Sequence, residues 1–397
     1  MLPQIVLLSQ RPTRTRRLRQ MTLSFTLPAT QMALKITGSS AVAIHTDLAL
    51  PVMEPLDVLV RVAYVSVGPV DSKSAEMSPA VGATSGTEFS GVVVALGDEV
   101  ESDQFRVEHN MKRMQIGDKV VGGIFGNNPL RRDNGAFAEY VAVPARLVWH
   151  VPTGMDLASA ATLPTALATV GLSLFQYMKL PMPDSSPDNR STGSWVLVHG
   201  GGTSTGCMAI QVLKWAGFRP ITTCSENSKE RAIRLGAVAT FDYRLPNCGP
   251  EIREHTGGSL GLALDCITDS ASMALCYEAL GTEGGRYVAL DFFPLRGHTR
   301  RSVVPDWVCT YTQFGNPVAW APPYNFDARP DDLRCAEAWY ALSQRLLDEG
   351  SIKPHPKEER SGGLAALGEA MKEVRKGQVK GRKLVYPIAK ELSIAAC

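Results

Sequence analysis

The sequence predicts an α/β chain in which a β-rich domain is joined to a doubly wound parallel sheet. Three observations predict it. First, short apolar strands punctuated by glycine fill the N-terminal part: Val58–Val67 (VLVRVAYVSV), Ser90–Ala95 (SGVVVA), Asp118–Gly122 (DKVVG) and Ala136–Val143 (AFAEYVAV). That texture implies a small barrel-like domain. Second, from about Ala158 strands alternate with helices, the strands falling at Trp195–His199, Ile221–Cys224, Thr240–Tyr243, Leu262–Cys266 and Arg286–Leu290. Alternation of this kind gives parallel strands with helices on both faces. Third, 397 residues are too many for one ordinary core and suit two domains.

The elements follow in chain order. Residues 1–26 read as an arm outside the fold: Arg11, Arg14, Arg16, Arg17 and Arg19 crowd it, and the first acidic residue is Asp47. An Arg-rich, acid-free start also resembles a transit peptide, the alternative being an arm after which Met21 opens the folded part. Glu101–Gln115 and Pro181–Ser194 are polar and read as loops. Ala158–Phe175 is uncharged, yet Pro164 and its Ser and Thr residues fit a buried helix better than a membrane span. The last segment offers helices at Asp331–Glu349 and Gly363–Lys376 and a closing strand at Lys383–Pro387.

The stretch Trp195–Trp215 (WVLVHGGGTSTGCMAIQVLKW) is the most telling one. An apolar strand runs into a glycine turn that opens an uncharged helix. The glycines let the backbone turn tightly against an anion, and the helix start offers unpaired N–H groups and a positive dipole end. This is how a dinucleotide pyrophosphate is cradled. The spacing of Gly200, Gly202 and Gly206 is GxGxxxG rather than GxGxxG, so the strand and helix around it carry the reading. The next strand ends in Ser225, where a protein preferring NAD usually places an acid about twenty residues after the turn. A hydroxyl tolerates a 2′-phosphate, and Lys229 one helical turn on could pair with it, which favours NADPH. Glu226 could still reach a ribose, and Lys229, Arg231 and Arg234 could equally be solvated surface charges.

Composition excludes other classes. With 41 basic against 39 acidic residues the formal charge is +2, so no nucleic-acid footprint is visible. All eight cysteines lie from Cys207 onward, none in a CxxC pair, which argues against a disulfide framework or zinc ribbon and suits a reducing, cytoplasmic setting. Residues 1–206 hold no cysteine, and His45, His109 and His150 are scattered, so this half cannot supply a thiolate and imidazole metal site.

The ordered motifs PVDSK (Pro69–Lys73), GTEFSGVVVALG (Gly86–Gly97), GDKVVG (Gly117–Gly122), GAFAEYV (Gly135–Val141), LPTALATVGLSLF (Leu163–Phe175), VLVHGGGTSTG (Val196–Gly206), ALDCI (Ala263–Ile267) and GRKLVYP (Gly381–Pro387) resemble the zinc-free medium-chain dehydrogenases/reductases. Within them the chain looks most like the trans-acting enoyl reductases of fungal polyketide synthases, over roughly Leu27–Ala389. The resemblance implies a GroES-like catalytic domain (27–160), a Rossmann domain binding NADPH (161–324) and a return to the catalytic domain (325–397), with the active site between them. Where zinc alcohol dehydrogenases carry a His-Glu pair this chain has Thr87–Glu88.

Reduction of an α,β-unsaturated thioester without a metal needs a positioned nicotinamide, a polarised carbonyl and a proton for the α-carbon. By resemblance, Lys73 of the PxDxK motif sits at the nicotinamide end as the catalytic residue, with Val70, Asp71 and Ser72 beside the cofactor. A Lys73–Asp71 pair at a turn is the plainer alternative. Gly200, Gly202, Thr203, Ser204, Thr205 and Gly206 would hold the pyrophosphate. Ser225, Glu226, Asn227, Ser228, Lys229 and Tyr243 would surround the adenosine phosphate, and Leu290 and Asp291 the nicotinamide. Thr165, Ala166, Leu167, Ala168, Thr169, Val170, Gly171 and Leu172 would line the acyl cavity, although such a small-residue run also suits helix packing. Tyr64, Tyr311 and solvent stand as proton donors. The implied partner is the acyl carrier domain of a polyketide synthase or a polyketide synthase–peptide synthetase hybrid, met by a monomer, with Arg131–Arg132 or Arg300–Arg301 as docking charges. A free-standing quinone or enone reductase and a non-enzymatic NADPH-binding protein are the rival readings.

Overall fold

A computed structural model describes residues 27–100, 102, 112–183 and 193–388. The N-terminal arm, most of the Glu101–Gln115 and Pro181–Ser194 loops, and Cys397 lie outside the described residues.

Strands β1 (Thr30–Gly38) and β2 (Ala41–Ala49) form an antiparallel hairpin. The eleven-residue β3 (Asp57–Val67), rich in valine and buried along both faces, is the spine of the first domain. Helix α1 (Pro69–Met77) follows at once, with Pro69 in its first turn and the Gly68 N–H held by the Asp71 carboxylate at 2.7 Å. Strands β4 (Glu88–Leu96), β5 (Lys119–Gly123), β6 (Tyr140–Pro144) and β7 (Val148–His150) complete the run. Its core is valine-rich, built on Val60, Val62, Phe89, Val93, Val120, Phe137 and Val141. The expected strand at Ala136–Val143 starts later, because Phe137 turns its backbone N–H to the Ser85 carbonyl before the chain reaches β3.

After α2 (Leu157–Ala160) and α3 (Pro164–Gly171), π-helical turns carry the helix on to Tyr177. This apolar segment, Leu157–Tyr177, is long enough to cross a membrane, but 83% of its apolar window is buried inside the fold. It is a core helix.

The second domain alternates as expected: β8 (Trp195–His199), α4 (Ser204–Trp215), β9 (Arg219–Thr223), α5 (Glu226–Leu235), β10 (Ala239–Phe241), α6 (Cys248–His255), β11 (Leu262–Asp265), α7 (Ser270–Ala279), β12 (Gly285–Ala289) and β13 (Val303–Trp307). All neighbours pair in parallel, in the order β10-β9-β8-β11-β12-β13. Central strands β8 and β11 are buried on both faces, which accounts for their apolar runs. Strand β10 ends two residues earlier than the sequence pattern predicts, leaving Tyr243 47% exposed.

A short hairpin, β14 (Val318–Ala319) with β15 (Asn325–Phe326), leads to the nineteen-residue α8 (Pro330–Asp348), then β16 (Lys357–Glu359), α9 (Gly363–Arg375) and β17 (Lys383–Pro387). The return closes on the first domain: β17 pairs antiparallel with β3, from Leu384 against Val67 to Pro387 against Tyr64. Among the described residues the first sheet runs β16-β17-β3-β4-β5-β7, with β6 branching from β3. Helix α8 packs on both domains, the Trp149 ring stacking on Tyr340 at 3.8 Å and donating to Ser343 Oγ at 2.9 Å, while Trp339 Nε1 donates to the Leu167 carbonyl at 2.8 Å.

Candidate active site

A cleft of about 280 Å³ lies where α1, α3, the β8–α4 turn and the segment following β12 meet. At one end is the glycine turn. Gly200 has φ of +92°, which glycine adopts without strain, and the Thr203 hydroxyl caps α4 by accepting from the Gly206 N–H at 3.0 Å. A Cβ on Gly206 would lie 2.3 Å from the Gly200 carbonyl oxygen, and one on Gly202 2.8 Å from Ser228 Oγ. The turn is therefore packed so tightly against α4 and α5 that neither position has room for a side chain. Thr203, Ser204 and Thr205 line the cleft there, and the Ser204 hydroxyl is buried without a hydrogen-bond partner, as is that of Thr165. Two orphaned hydroxyls, each in the first turn of a helix that lines the cleft, fit a ligand bearing many oxygens, such as a dinucleotide.

At the other end, Lys73 Nζ pairs with Asp291 Oδ2 at 2.9 Å, and the Tyr324 hydroxyl donates to Asp291 Oδ1 at 2.8 Å. Lys73 thus reaches across the cleft to the other domain instead of pairing with Asp71. Its side chain remains 36% exposed, available to a ligand. Val70, Leu290 and Asp291 line this end with it.

The other expected cofactor residues are placed differently. Asp71 is buried behind the wall, accepting from the Thr87 hydroxyl at 2.6 Å, and the Ser72 hydroxyl donates to the Met371 carbonyl at 2.6 Å. Neither lines the cleft. Ser225 precedes α5, and Glu226, Asn227, Ser228 and Lys229 occupy its start, at the end of β9 beyond the cleft lining. Lys229 Nζ pairs with Glu226 Oε2 at 2.6 Å, so the two residues that argued for opposite cofactors hold each other. Arg231 is no surface charge: its guanidinium donates to the Gly381 carbonyl at 2.8 Å.

Helix α3 divides by face. Thr165, Ala166, Ala168 and Thr169 line the cleft, whereas Leu167, Val170, Gly171 and Leu172 are buried in the core on the other side. Gly171 is required there, since a Cβ would lie 2.1 Å from the Trp339 ring. The helical period, which puts only every third or fourth residue on one face, explains why four of the eight expected acyl-lining residues do not reach the cleft.

Sequence reasoning missed Thr87, Trp307, Trp320, Tyr324 and Lys383, all of which line the cleft. The density of aromatics between Trp307 and Phe326 was the signal for three of them. Glu88 pairs with Lys383, both nearly inaccessible, and accepts from Ser66 Oγ at 2.5 Å and the Thr165 N–H at 3.0 Å. Among the described residues no three His, Cys, Asp or Glu side chains gather as a metal-binding group. Cys266 and Cys309 line the cleft, but burial pushes both thiols up, Cys309 to about 12, so neither offers a thiolate. Tyr64 belongs to a small cluster with Ala158, Ala161 and Val385, away from the cleft. Of the paired arginines, Arg131 holds Asp57 at 3.2 Å, Arg132 donates to the Pro129 and Val81 carbonyls and Arg300 to the Tyr277 and Leu280 carbonyls at the end of α7, while Arg132 and Arg301 remain exposed.

Comparison with known proteins agrees with this architecture. Residues 54–153 match the alcohol dehydrogenase GroES-like domain, and residues 204–300 match the zinc-binding dehydrogenase family. Among solved structures, an alcohol dehydrogenase superfamily protein from Novosphingobium aromaticivorans superposes with a TM-score of 0.71 at 22% identity, over 91% of this chain and all of that one. The CurK enoyl reductase gives a TM-score of 0.64 at 17% identity, over 90% and 99%. The trans-enoyl reductase iccB of Talaromyces variabilis is 68% identical over 94% of this chain and 99% of its own length. The trans-enoyl reductase iliB of a Neonectria species is 64% identical over 94% of this chain and the whole of its own. With a GroES-like sheet, a Rossmann sheet and this identity along nearly its whole length, the chain belongs to the trans-enoyl reductases of the medium-chain dehydrogenase/reductase family.

Proposed function

We propose that the protein uses NADPH to reduce the α,β-double bond of a polyketide intermediate presented in trans on the acyl carrier domain of a polyketide synthase or a polyketide synthase–peptide synthetase hybrid. The observation that carries this reading is the cleft itself, which is lined by the N-terminus of α4, two orphaned hydroxyls and a lysine that bridges its walls. A dinucleotide laid along it would rest its pyrophosphate on Thr203, Ser204 and Thr205 and its nicotinamide beside Lys73, Leu290 and Asp291. Ser225, with Lys229 nearby, would accommodate the 2′-phosphate once Lys229 leaves Glu226. Bound NADPH supplies the hydride. Lys73 then orients the reactants and polarises the thioester carbonyl, Asp291 and Tyr324 hold its ammonium in place, and the face of α3 carrying Ala166 and Thr169 borders the acyl chain. The aromatic wall of Trp307, Trp320 and Tyr324 excludes water from the reacting carbons. The cysteines among the described residues form no disulfide, which suits a reducing, cytoplasmic setting.

Cofactor preference tests the 2′-phosphate assignment. Ser225→Asp places a carboxylate where the phosphate would sit and should raise the Kd for NADPH at least tenfold, about 1.4 kcal/mol, while improving NADH binding. Unchanged preference would remove Ser225 from the site. Turnover on acyl-pantetheine thioesters but not on small quinones separates the carrier-dependent reading from a general enone reductase.

A further inference from the structure

Tyr311, Thr87 and Asp71 form one hydrogen-bonded chain leading inward from the cleft wall. The Tyr311 hydroxyl lies 3.2 Å from Thr87 Oγ1, and Thr87 Oγ1 lies 2.6 Å from Asp71 Oδ1. Tyr311 and Thr87 line the cleft, while Asp71 stands behind them with 2% exposure. The ring of Tyr311 is fixed, stacked on Phe125 at 4.4 Å and edge-on to Trp320 at 5.0 Å. Among the described residues no cation pairs with Asp71, since the nearby Lys383 is held by Glu88. A carboxyl so placed has an inner partner, the Gly68 N–H, and an outer one, the Thr87 hydroxyl.

Resting on the enoyl reductase reading, we propose that Tyr311 delivers the proton to the substrate α-carbon and that Asp71, through Thr87, replaces it. Hydride addition at the β-carbon leaves an enolate. The Tyr311 O–H bond breaks as the C–H bond forms at the α-carbon; the Thr87 proton passes to the tyrosine oxygen, and the Asp71 proton passes to Thr87. Asp71 is left as a carboxylate and regains its proton from cleft water along the same chain in reverse. One hydride and one proton are consumed in each cycle. Burial pushes the Tyr311 phenol up, so a tyrosinate stranded there would be costly. Burial, reinforced by Glu88 and opposed by the Thr87 and Gly68 hydrogen bonds and by Lys383, raises Asp71 to about 7, so its acid form is populated at neutral pH. Thr87 and Asp71 are positioning residues; Tyr311 is the catalytic one.

The test uses Tyr311→Phe, which keeps the stacked ring, with NADPH and 2-methylbut-2-enoyl pantetheine in deuterated water. Wild type should give one α-configuration. The variant should lose kcat about 100-fold with KM and NADPH Kd unchanged, and give both configurations as solvent takes over protonation. Wild-type rate and a single configuration in the variant would overturn the proposal and leave the enoyl reductase reading standing; a wild-type protein that reduces no thioester would sink that reading first. A second readout needs neither cofactor nor turnover. The infrared difference between wild type and Asp71→Asn should show a carboxylic acid C=O band that titrates away with a midpoint of about 7. No such band at pH 5 would overturn the relay.

Discussion

At the scale of single residues, two lysines line the cleft in opposite circumstances. Lys73 and Asp291 are partly exposed, so their pair adds little to stability and is free to reorganise around a ligand. Lys73→Met should therefore leave the melting temperature nearly unchanged while lowering kcat/KM about 100-fold or more, roughly 2.7 kcal/mol of transition-state stabilisation. Melting and steady-state kinetics on the same preparation check both halves. Lys383 and Glu88 are enclosed, and Glu88 also holds Ser66 and the start of α3. Glu88→Gln leaves a buried ammonium unpaired and should cost about 3–5 kcal/mol in urea unfolding. A loss under 1 kcal/mol would mean that water reaches the pair. Lys73 was legible in the sequence through its motif, whereas Glu88–Lys383 joins residues about 300 positions apart and had no local signal.

At the scale of elements, the strands were legible wherever burial dictates composition. Valine-rich β3 and β4 and the apolar β8 fall where the pattern predicts, because strands covered on both faces are built mostly from apolar residues. Strand β13 (VVPDW) was not legible, since it lies at the sheet edge, where one side of the ladder goes unused and proline and aspartate are tolerated. Helix α3 was recognised as buried, but its two faces could not be separated without knowing where α8 lies. Their junction is tight. Gly171→Ala would drive a methyl into the Trp339 ring and should cost about 1–3 kcal/mol by thermal or urea unfolding, with the larger loss if α8 cannot shift. At the glycine turn, Gly206→Ala should push α4 off the Gly200 carbonyl and raise the NADPH Kd at least tenfold, read by fluorescence titration.

At the scale of the whole molecule, the chain leaves the first domain, builds the second, and returns through α8 and β17 to pair with β3. Lys383 of the returning segment thereby lines the cleft together with residues of both domains. Two buried groups give this fold opposite pH dependences. Asp71 is raised from 3.8 to about 7, so between those values the folded state keeps a proton that the unfolded chain has released, and stability from this group declines as pH rises through that window. His355, lowered by burial and by Arg231 and Lys383 to about 3, acts the other way: the unfolded chain binds the proton first, and stability declines as pH falls below about 6.5. The urea midpoint should be higher at pH 5 than at pH 7.5 in His355→Gln, where only the Asp71 loss remains, and lower at pH 5 than at pH 7.5 in Asp71→Asn, where only the acid-side loss remains. The two-domain plan was readable from texture alone. The chain Asp71–Thr87–Tyr311 was not, because Tyr311 lies 224 positions beyond Thr87 and meets it only in the folded molecule.

Isotope tracing tests most directly the proposed passage of hydride in this cleft from NADPH to the β-carbon of a carrier-type enoyl thioester. The purified protein would be given NADPH deuterated at the transferable C4 position and an α,β-unsaturated acyl-pantetheine thioester, and the product examined by mass and by NMR. One deuterium at the β-carbon, gained together with one solvent hydrogen at the α-carbon, is the predicted result. Tight NADPH binding with unreduced thioester, or deuterium found elsewhere in the product, would contradict it.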